Sequence, residues 1–340
     1  MLKKLGFKNI IPLYERNRIK IKSNLWIERY PTTGIDNMLF IKSEEGNLLN
    51  YNDCNIPVYT RNRLFKKLDK IDILLNNFNH AGKLFDFPLP NDKEIKIRLK
   101  NNFKSTIKSF QPKYTIPFAS SHYYRAPENI AQNSSLMDST NLIEIDSSVI
   151  PLKVGDKIIF NDSFTDYKIK SSENIILNKT DLKVRDQIYS IEELKEASKL
   201  YCKKINNGFM QFTFWIPPLL VKVTDLDIII SLKMSKKEFS IVNSDEQFHI
   251  SSTSQELWTW WNKPYGTDSF IVAGPFTLNS GKQFPLRVIL LFGLLTENKL
   301  DLKSLFKMLF NVKGIVFLFN RREEILGLIF SGKFIIGMRN

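Results

Sequence analysis

Leu48-Leu49-Asn50-Tyr51-Asn52-Asp53-Cys54-Asn55, followed by Asp72-Ile73-Leu74-Leu75-Asn76-Asn77-Phe78, decides how this chain is read. Each is an apolar run that stops at a polar cluster. Two buried parallel strands look like this when polar side chains collect at their carboxyl ends. In open α/β layers that edge is where ligands and metals sit. Downstream, the spacing of Ile95, Leu99, Phe103, Ile107 and Phe110 predicts an amphipathic helix over Asn91–Phe110, charged on its other face. Tyr114–Phe118 reads as a further strand, so residues 71–118 run strand, helix, strand.

Upstream, residues 1–8 read as the last turn of a helix with Gly6 as its C-cap. Strand-like pieces follow at Asn9–Leu13, Arg18–Ile21, Leu25–Tyr30, Asn37–Ile41 and Leu48–Tyr51, separated by Asn17, Asn24, Gly34 and Gly46. A short amphipathic helix is expected over 62–70. Residues 119–146 form a long loop, of the kind that is usually functional or a lid, and Val154-Gly155-Asp156-Lys157 reads as a hairpin turn. These elements make a first unit over 1–165, a linker over 166–188 and an α+β unit over 189–340. The second unit opens with a helix capped by Ser190 and Glu193 and running to Ile205. Strands are expected at Met210–Trp215, Leu219–Val223, Asp227–Met234, Glu238–Val242 and Gln247–Ser251, then a helix capped by Thr253 and Glu256. A helix at Leu302–Phe310 and strands at Ile315–Asn320 and Ile325–Phe330 close the chain.

With 340 residues the chain can hold two cores, and its 43% apolar content is that of a folding sequence. The net charge is +14, with Lys and Arg scattered rather than blocked. That pattern suits a soluble surface or a small anionic partner better than a nucleic-acid stripe. The two cysteines are far apart, which fits a reducing compartment. No signal-peptide core follows Met1, and the longest apolar run, Val288–Leu295, is too short to span a bilayer. The expectation is a cytoplasmic, soluble protein.

Asp53, at a strand end, could hold a metal or could cap the next turn through its own side chain. His80 and His122 follow predicted strands and could face the same edge, or be ordinary loop residues. One Asp and two His make the minimum for a divalent metal such as zinc or iron, which takes about three or four ligands. Asn52, Ser120, Ser121, Tyr123, Tyr124 and Arg125 put amide, hydroxyls, aromatics and a cation side by side. That mix suits a sugar or phosphate ligand, or a lid packed on its own aromatics. His249, on an alternating strand, reads as structural. Trp258, Trp260 and Trp261 could form a stacking platform, while the helical spacing of Trp258 and Trp261 reads as core. There is no Gly-rich phosphate loop, nucleophile elbow or CxxC pair.

The order Asn52-Asp53-Cys54, then Asp72-Ile73-Leu74-Leu75, then Pro112-Lys113-Tyr114-Thr115-Ile116-Pro117-Phe118-Ala119-Ser120, resembles the metallo-β-lactamase fold superfamily. Within it, the similarity is to the branch of ascorbate-6-phosphate-lactonase-like metallo-hydrolases and the lactamase-like domain of CMP-N-acetylneuraminate hydroxylase. Leu5-Gly6-Phe7-Lys8-Asn9-Ile10 matches the piece that follows the first metal motif there, and the resemblance covers residues 1–160. More weakly, 190–280 resembles a sterol-carrier-like domain, on Phe248-His249-Ile250-Ser251-Ser252 and on Pro264 through Val272. The resemblance implies an α/β half-sandwich of αββα type followed by an α+β accessory domain. The motif His-x-His-x-Asp-His appears nowhere in this sequence, and Ala119 stands where many members carry their last metal-binding His. Only Asp53 is carried over as a ligand.

The implied function is that of a metallo-hydrolase acting on an anionic sugar phosphate or nucleotide-sugar, incomplete as a lone chain. The alternatives are one half of a split enzyme paired with a His-rich chain, a homo-oligomer, or a non-enzymatic binding or scaffold module. A polar cleft at Asp53, His80 and His122 would favour chemistry, whereas an apolar tunnel in 190–300 would favour carriage.

Overall fold

The computed structural model describes residues 6–311, except 7, 9, 12, 14–17, 32–36, 53, 55, 57, 81–89, 121, 154, 162–164, 172–186, 244–246, 280–282, 299–300, 302, 305–306 and 308–309. Those described form a mixed α/β structure with two principal sheets and a small hairpin. The first sheet begins as an antiparallel meander: β1 (Arg18–Lys22), β2 (Leu25–Pro31), β3 (Asn37–Ser43) and β4 (Asn47–Asn52). From β4 the pairing turns parallel through β5 (Ile73–Asn76) to β6 (Tyr114–Pro117). The crossovers are α1 (Val58–Phe65) and α2 (Asp92–Phe110). Both cross in the same direction, and right-handed connection sets both helices on one face. They pack on each other there, and the Arg61 guanidinium donates to Thr106 Oγ1 at 2.6 Å and Ser105 Oγ at 2.7 Å.

Helix α2 starts where its chemistry says it should. Asn91 Oδ1 accepts from the Glu94 amide while the Glu94 carboxylate accepts from the Asn91 amide, closing a capping box. Its buried Ile95, Leu99, Phe103, Ile107 and Phe110 meet Met38, Phe40, Leu49, Tyr51 and Leu74 of the sheet. The opposite sheet face carries Ile27, Ile41, Leu48 and Tyr114 in register, all half-buried. Tyr114 is covered by Phe160 and Tyr167 of the hairpin β7 (Lys157–Phe160) and β8 (Tyr167–Lys170). Strand β8 falls inside the segment expected to be a linker. The expected loop 119–146 contains two 3-10 stretches, Ile130–Ser135 and Ser139–Ile145.

The second sheet has the order β11-β10-β9-β12-β13, built from β9 (Leu219–Val223), β10 (Ile228–Lys233), β11 (Glu238–Val242), β12 (Ile250–Ser252) and β13 (Thr277–Leu278). Only β9 and β12 pair parallel. Its helices are α3 (Ile191–Thr213), α4 (Ser254–Asn262), α5 (Gly266–Ala273) and α6 (Phe284–Glu297). Helix α3 packs on α4 and α6, and α5 on α4 and α6. The Ser190–Glu193 capping box is present. Thr253 sits at the N-cap of α4 without a side-chain bond, so the expected cap there is not made. Met210–Trp215, expected as a strand, is instead the end of α3 and the turn after it, beyond a kink at Phe209 (φ −138°, ψ 19°). Trp260 and Trp261 are the core tryptophans, while Trp258 is half-buried and stacks on Tyr189. The expected strands at 315–320 and 325–330 lie outside the described residues, as do most of 302–310. Among the described residues no helix is long and apolar enough to cross a membrane.

Candidate functional site

The carboxyl ends of β4, β5 and β6 form one rim. The Asn77 amide donates to the Asn52 carbonyl (3.3 Å) and the Phe118 amide to the Asn76 carbonyl (2.9 Å), so the chain leaves all three strands side by side. Asn52 and Ala119 both adopt left-handed backbone, with φ of 48° and 56°. For a non-glycine residue that conformation is uncommon, and it concentrates at functional edges. Asp53 and Ser121 lie outside the described residues.

His80 does not present a ligand lone pair. It is fully buried, with Nε2 3.0 Å from Ser135 Oγ and Nδ1 3.1 Å from Tyr124 Oη. Ser135 Oγ already donates to the Gln132 carbonyl at 2.7 Å, so it accepts from the imidazole. The ring therefore carries its proton on Nε2, and Nδ1 accepts from the Tyr124 hydroxyl. Both nitrogens are occupied inside the protein. Ser120 is equally engaged: its hydroxyl accepts from the Phe78 amide (2.9 Å) and donates to the Phe118 carbonyl (3.2 Å). Asn79 donates to the carbonyls of Ser120 and Met137 and accepts from the Met137 amide, stitching the loop to the sheet.

His122 differs. Its ring stands edge-on to Tyr124 and lies against the backbone of His80 and Ser120. Burial lowers its pKa, and those two backbone contacts pull more weakly the other way. Among the described residues Nε2 is buried without a hydrogen-bond partner, and so is Asn52 Oδ1. Tyr123 and Arg125 are exposed, whereas Tyr124 is buried against His80. The structure thus brings His80, His122, Ser120 and Tyr124 together and sets Asn52 on the same edge. As a metal set the described residues do not fit. His80 is saturated, and no group of three or more His, Cys, Asp or Glu among them could hold an ion.

A second concavity lies between α3, α4 and α6. It measures about 260 Å³ and is walled by Tyr201, Ile205, Trp260, Trp261 and Tyr265. Trp260 donates from Nε1 to Tyr201 Oη (3.1 Å), which also lies 3.2 Å from Thr267 Oγ1. Burial raises the Tyr201 pKa, so the phenol stays protonated. Trp260 stacks on Phe270 at 4.4 Å, which fixes the wall. Sequence reading offered Trp260 and Trp261 as a stacking platform and a tunnel in 190–300 as the sign of carriage, but it did not find the α3 and α6 walls, because these residues come from three helices distant in the chain. The available signal was the run Trp260-Trp261-Asn262-Lys263-Pro264-Tyr265, which interleaves aromatics with a cation.

Two histidines give a pH signature. Burial lowers the pKa of His249 as it does that of His122. The Leu220 amide donates to His249 Nδ1 at 2.9 Å, a bond that protonation there would break. The unfolded chain, with imidazole pKa about 6.5, takes up protons first as pH falls. Stability is then fully present above about pH 6.5 and is lost progressively below it, until the folded pKa values are passed. The melting temperature is expected to be lower at pH 5.5 than at pH 7.5. The double variant His122→Asn, His249→Asn should flatten that slope, and an unchanged slope would assign it to other groups.

No protein-family model and no curated protein matches the chain. Among solved structures, distant likeness is found to CmlA, a diiron β-hydroxylase from Streptomyces venezuelae, at 12% identity and a TM-score of 0.32, over 44% of this chain and 34% of that one. A mutant of the same β-hydroxylase gives 14% identity and a TM-score of 0.28, over 35% and 27%. The chain therefore spans about a third of the length of these structures. The likeness is one of fold, and it is distant.

Proposed function

We propose that this chain is a small-molecule-binding protein in which the lactamase-like layer is the scaffold and the aromatic cavity of the second layer is the ligand seat. The observation that supports this best is where concavity lies: the cavity is walled by side chains of α3, α4 and α6, whereas the rim imidazole of His80 is sealed by Tyr124 and Ser135. A concave, mostly apolar site with a few polar groups is the usual form of a small-molecule seat. The test is a calorimetric and tryptophan-fluorescence screen of small aromatic and amphipathic compounds against the full chain. Binding is expected to perturb the emission and to be lost in Ile205→Trp, which fills the cavity. Binding that survives that substitution would place the seat elsewhere.

A second reading keeps the metal-dependent hydrolase of anionic sugars, completed by a His-rich partner chain or a second copy. The unpartnered Nε2 of His122 favours it. Under that reading His122 and Asp53 would each supply one ligand to a zinc or iron ion, whose chemistry is to lower the pKa of bound water. It expects tight metal binding that His122→Ala removes. Our reading expects purified chain to hold less than one equivalent of metal.

A further inference from the structure

The outward face of α3 changes character part-way along. Before the kink at Phe209 it carries Glu192, Lys195, Lys199, Lys203 and Asn207, all exposed. From the kink onward the chain buries Phe209, Thr213 and Ile216 and exposes Met210, Phe212, Phe214 and Trp215. A surface helix keeps its outward face polar, and one that is apolar all round is normally covered. Trp215, at 82%, and Phe310, at 88%, are the most exposed of the large apolar side chains described. Elsewhere such side chains stand singly or in pairs along the chain, whereas here four fall within six residues. Single exposed apolar residues need no explanation, but a contiguous patch marks a contact surface.

The chain that follows α6 arrives beside this patch. Phe209 stacks on Phe292 of α6 at 4.6 Å, and Phe212 lies tilted against the same ring at 6.4 Å, so α6 floors the patch. Helix α6 ends at Glu297, whose carboxylate accepts from the Thr267 amide at 2.7 Å and the Asp268 amide at 3.2 Å, the first peptide groups of α5. A carboxylate there is stabilised by the positive end of the helix, and it pins the chain. The chain next crosses α3 at Gly208, where a Cβ would lie 3.4 Å from Asp301 Cβ. Gly208 immediately precedes the kink, so the crossing lies next to the point where the exposed face turns apolar.

Residues 312–340 lie outside the described residues. Their sequence holds two apolar runs, Ile315-Val316-Phe317-Leu318-Phe319 and Ile325-Leu326-Gly327-Leu328-Ile329-Phe330, with Arg321-Arg322-Glu323-Glu324 between them. Such runs gain free energy by leaving water for any apolar surface in reach. Tethered from Asp301, they meet the patch at the millimolar effective concentration of a short linker, whereas a second copy must find it from dilute solution. We propose that the segment Ile315–Phe330 of the same chain covers the face formed by Met210, Phe212, Phe214 and Trp215. The second layer is then closed by the chain that follows α6, and the charged stretch between the two runs stays in water.

The test replaces Phe214 by the photo-crosslinker p-benzoylphenylalanine in the full chain and identifies the captured peptide by mass spectrometry. Capture of residues 315–330 at the mass of a single chain is expected. The same crosslinker at Lys199, on the polar part of α3, is expected not to capture them. Phe317→Asp combined with Leu328→Asp should abolish the capture. It should also make Trp215 more accessible to acrylamide, read as the difference in quenching from the Trp215→Phe chain. Capture at twice the mass would assign the face to a second copy and overturn the proposal. So would capture that disappears as the chain sediments with phosphatidylcholine–phosphatidylserine vesicles, which would make it a lipid-facing surface. Capture confined to α3 and α6 themselves, or none, would show the face to be open and overturn it as well.

Discussion

Gly266→Ala is expected to cost about 3 kcal/mol or more, among the largest effects of any single methyl group in this protein. The added Cβ would strike the Trp260 carbonyl oxygen, lie 2.7 Å from the Thr259 carbonyl oxygen and 2.9 Å from the Trp260 carbonyl carbon. All three are backbone atoms at the end of α4, so no side chain can swing aside. Relief would require α4 and α5 to separate, and Trp260, stacked on Phe270 and edge-on to Tyr201, would move with them. Urea unfolding followed by tryptophan emission measures this directly. Gly208→Ala is the matched control: its Cβ would meet Asp301 Cβ at 3.4 Å, ordinary contact, and alanine is the better helix former. Gly208→Ala is expected to be neutral or mildly stabilising. A loss at position 266 below about 1 kcal/mol, the low end of overpacking costs, would show that the α4–α5 junction yields.

His80→Ala is expected to cost about 3 kcal/mol, for a different reason. The imidazole is fully buried at the rim and joins two hydroxyls, those of Tyr124 and Ser135. Removing it empties a ring-sized space, takes the Nδ1 acceptor from the Tyr124 hydroxyl, and leaves Ser135 Oγ with only its bond to the Gln132 carbonyl. Tyr124→Phe isolates one link of the chain. It deletes the donor to Nδ1 and is expected to cost about 1–2 kcal/mol. The two variants should unfold at lower urea with the same slope, since the native surface is little changed. Were His80 a metal ligand instead, His80→Ala would change metal content and leave urea stability in metal-free buffer nearly untouched.

The first layer was legible because its signals were local. Runs that end in Asn and a helix with a strict apolar stripe each follow from a few neighbouring residues. The end of α3 was not. Met210, Phe212 and Phe214 alternate with smaller or polar residues, which reads as a strand, yet all three are exposed on helix and turn. Their alternation reports no buried face. Helix α6 was passed over because Val288–Leu295 is apolar all round, and without a polar face it gives no period to read. The rim could be placed from sequence as far as which strands share an edge. Which of its imidazoles keeps a lone pair is set by Tyr124 and Ser135, and only coordinates reveal that. The cavity was legible only as its tryptophans, since the facing walls come from α3 and α6, far from α4 in sequence.

The grip of Glu297 on the first amides of α5 has a consequence in time. A helix of eight residues is too short to persist alone in water, and this one has no N-terminal side-chain cap of its own. Its anchor is encoded about thirty positions downstream, at the far end of α6. During synthesis, α5 can pack on α4 as soon as it emerges, but it is expected to gain this anchor only after residue 297 has left the ribosome.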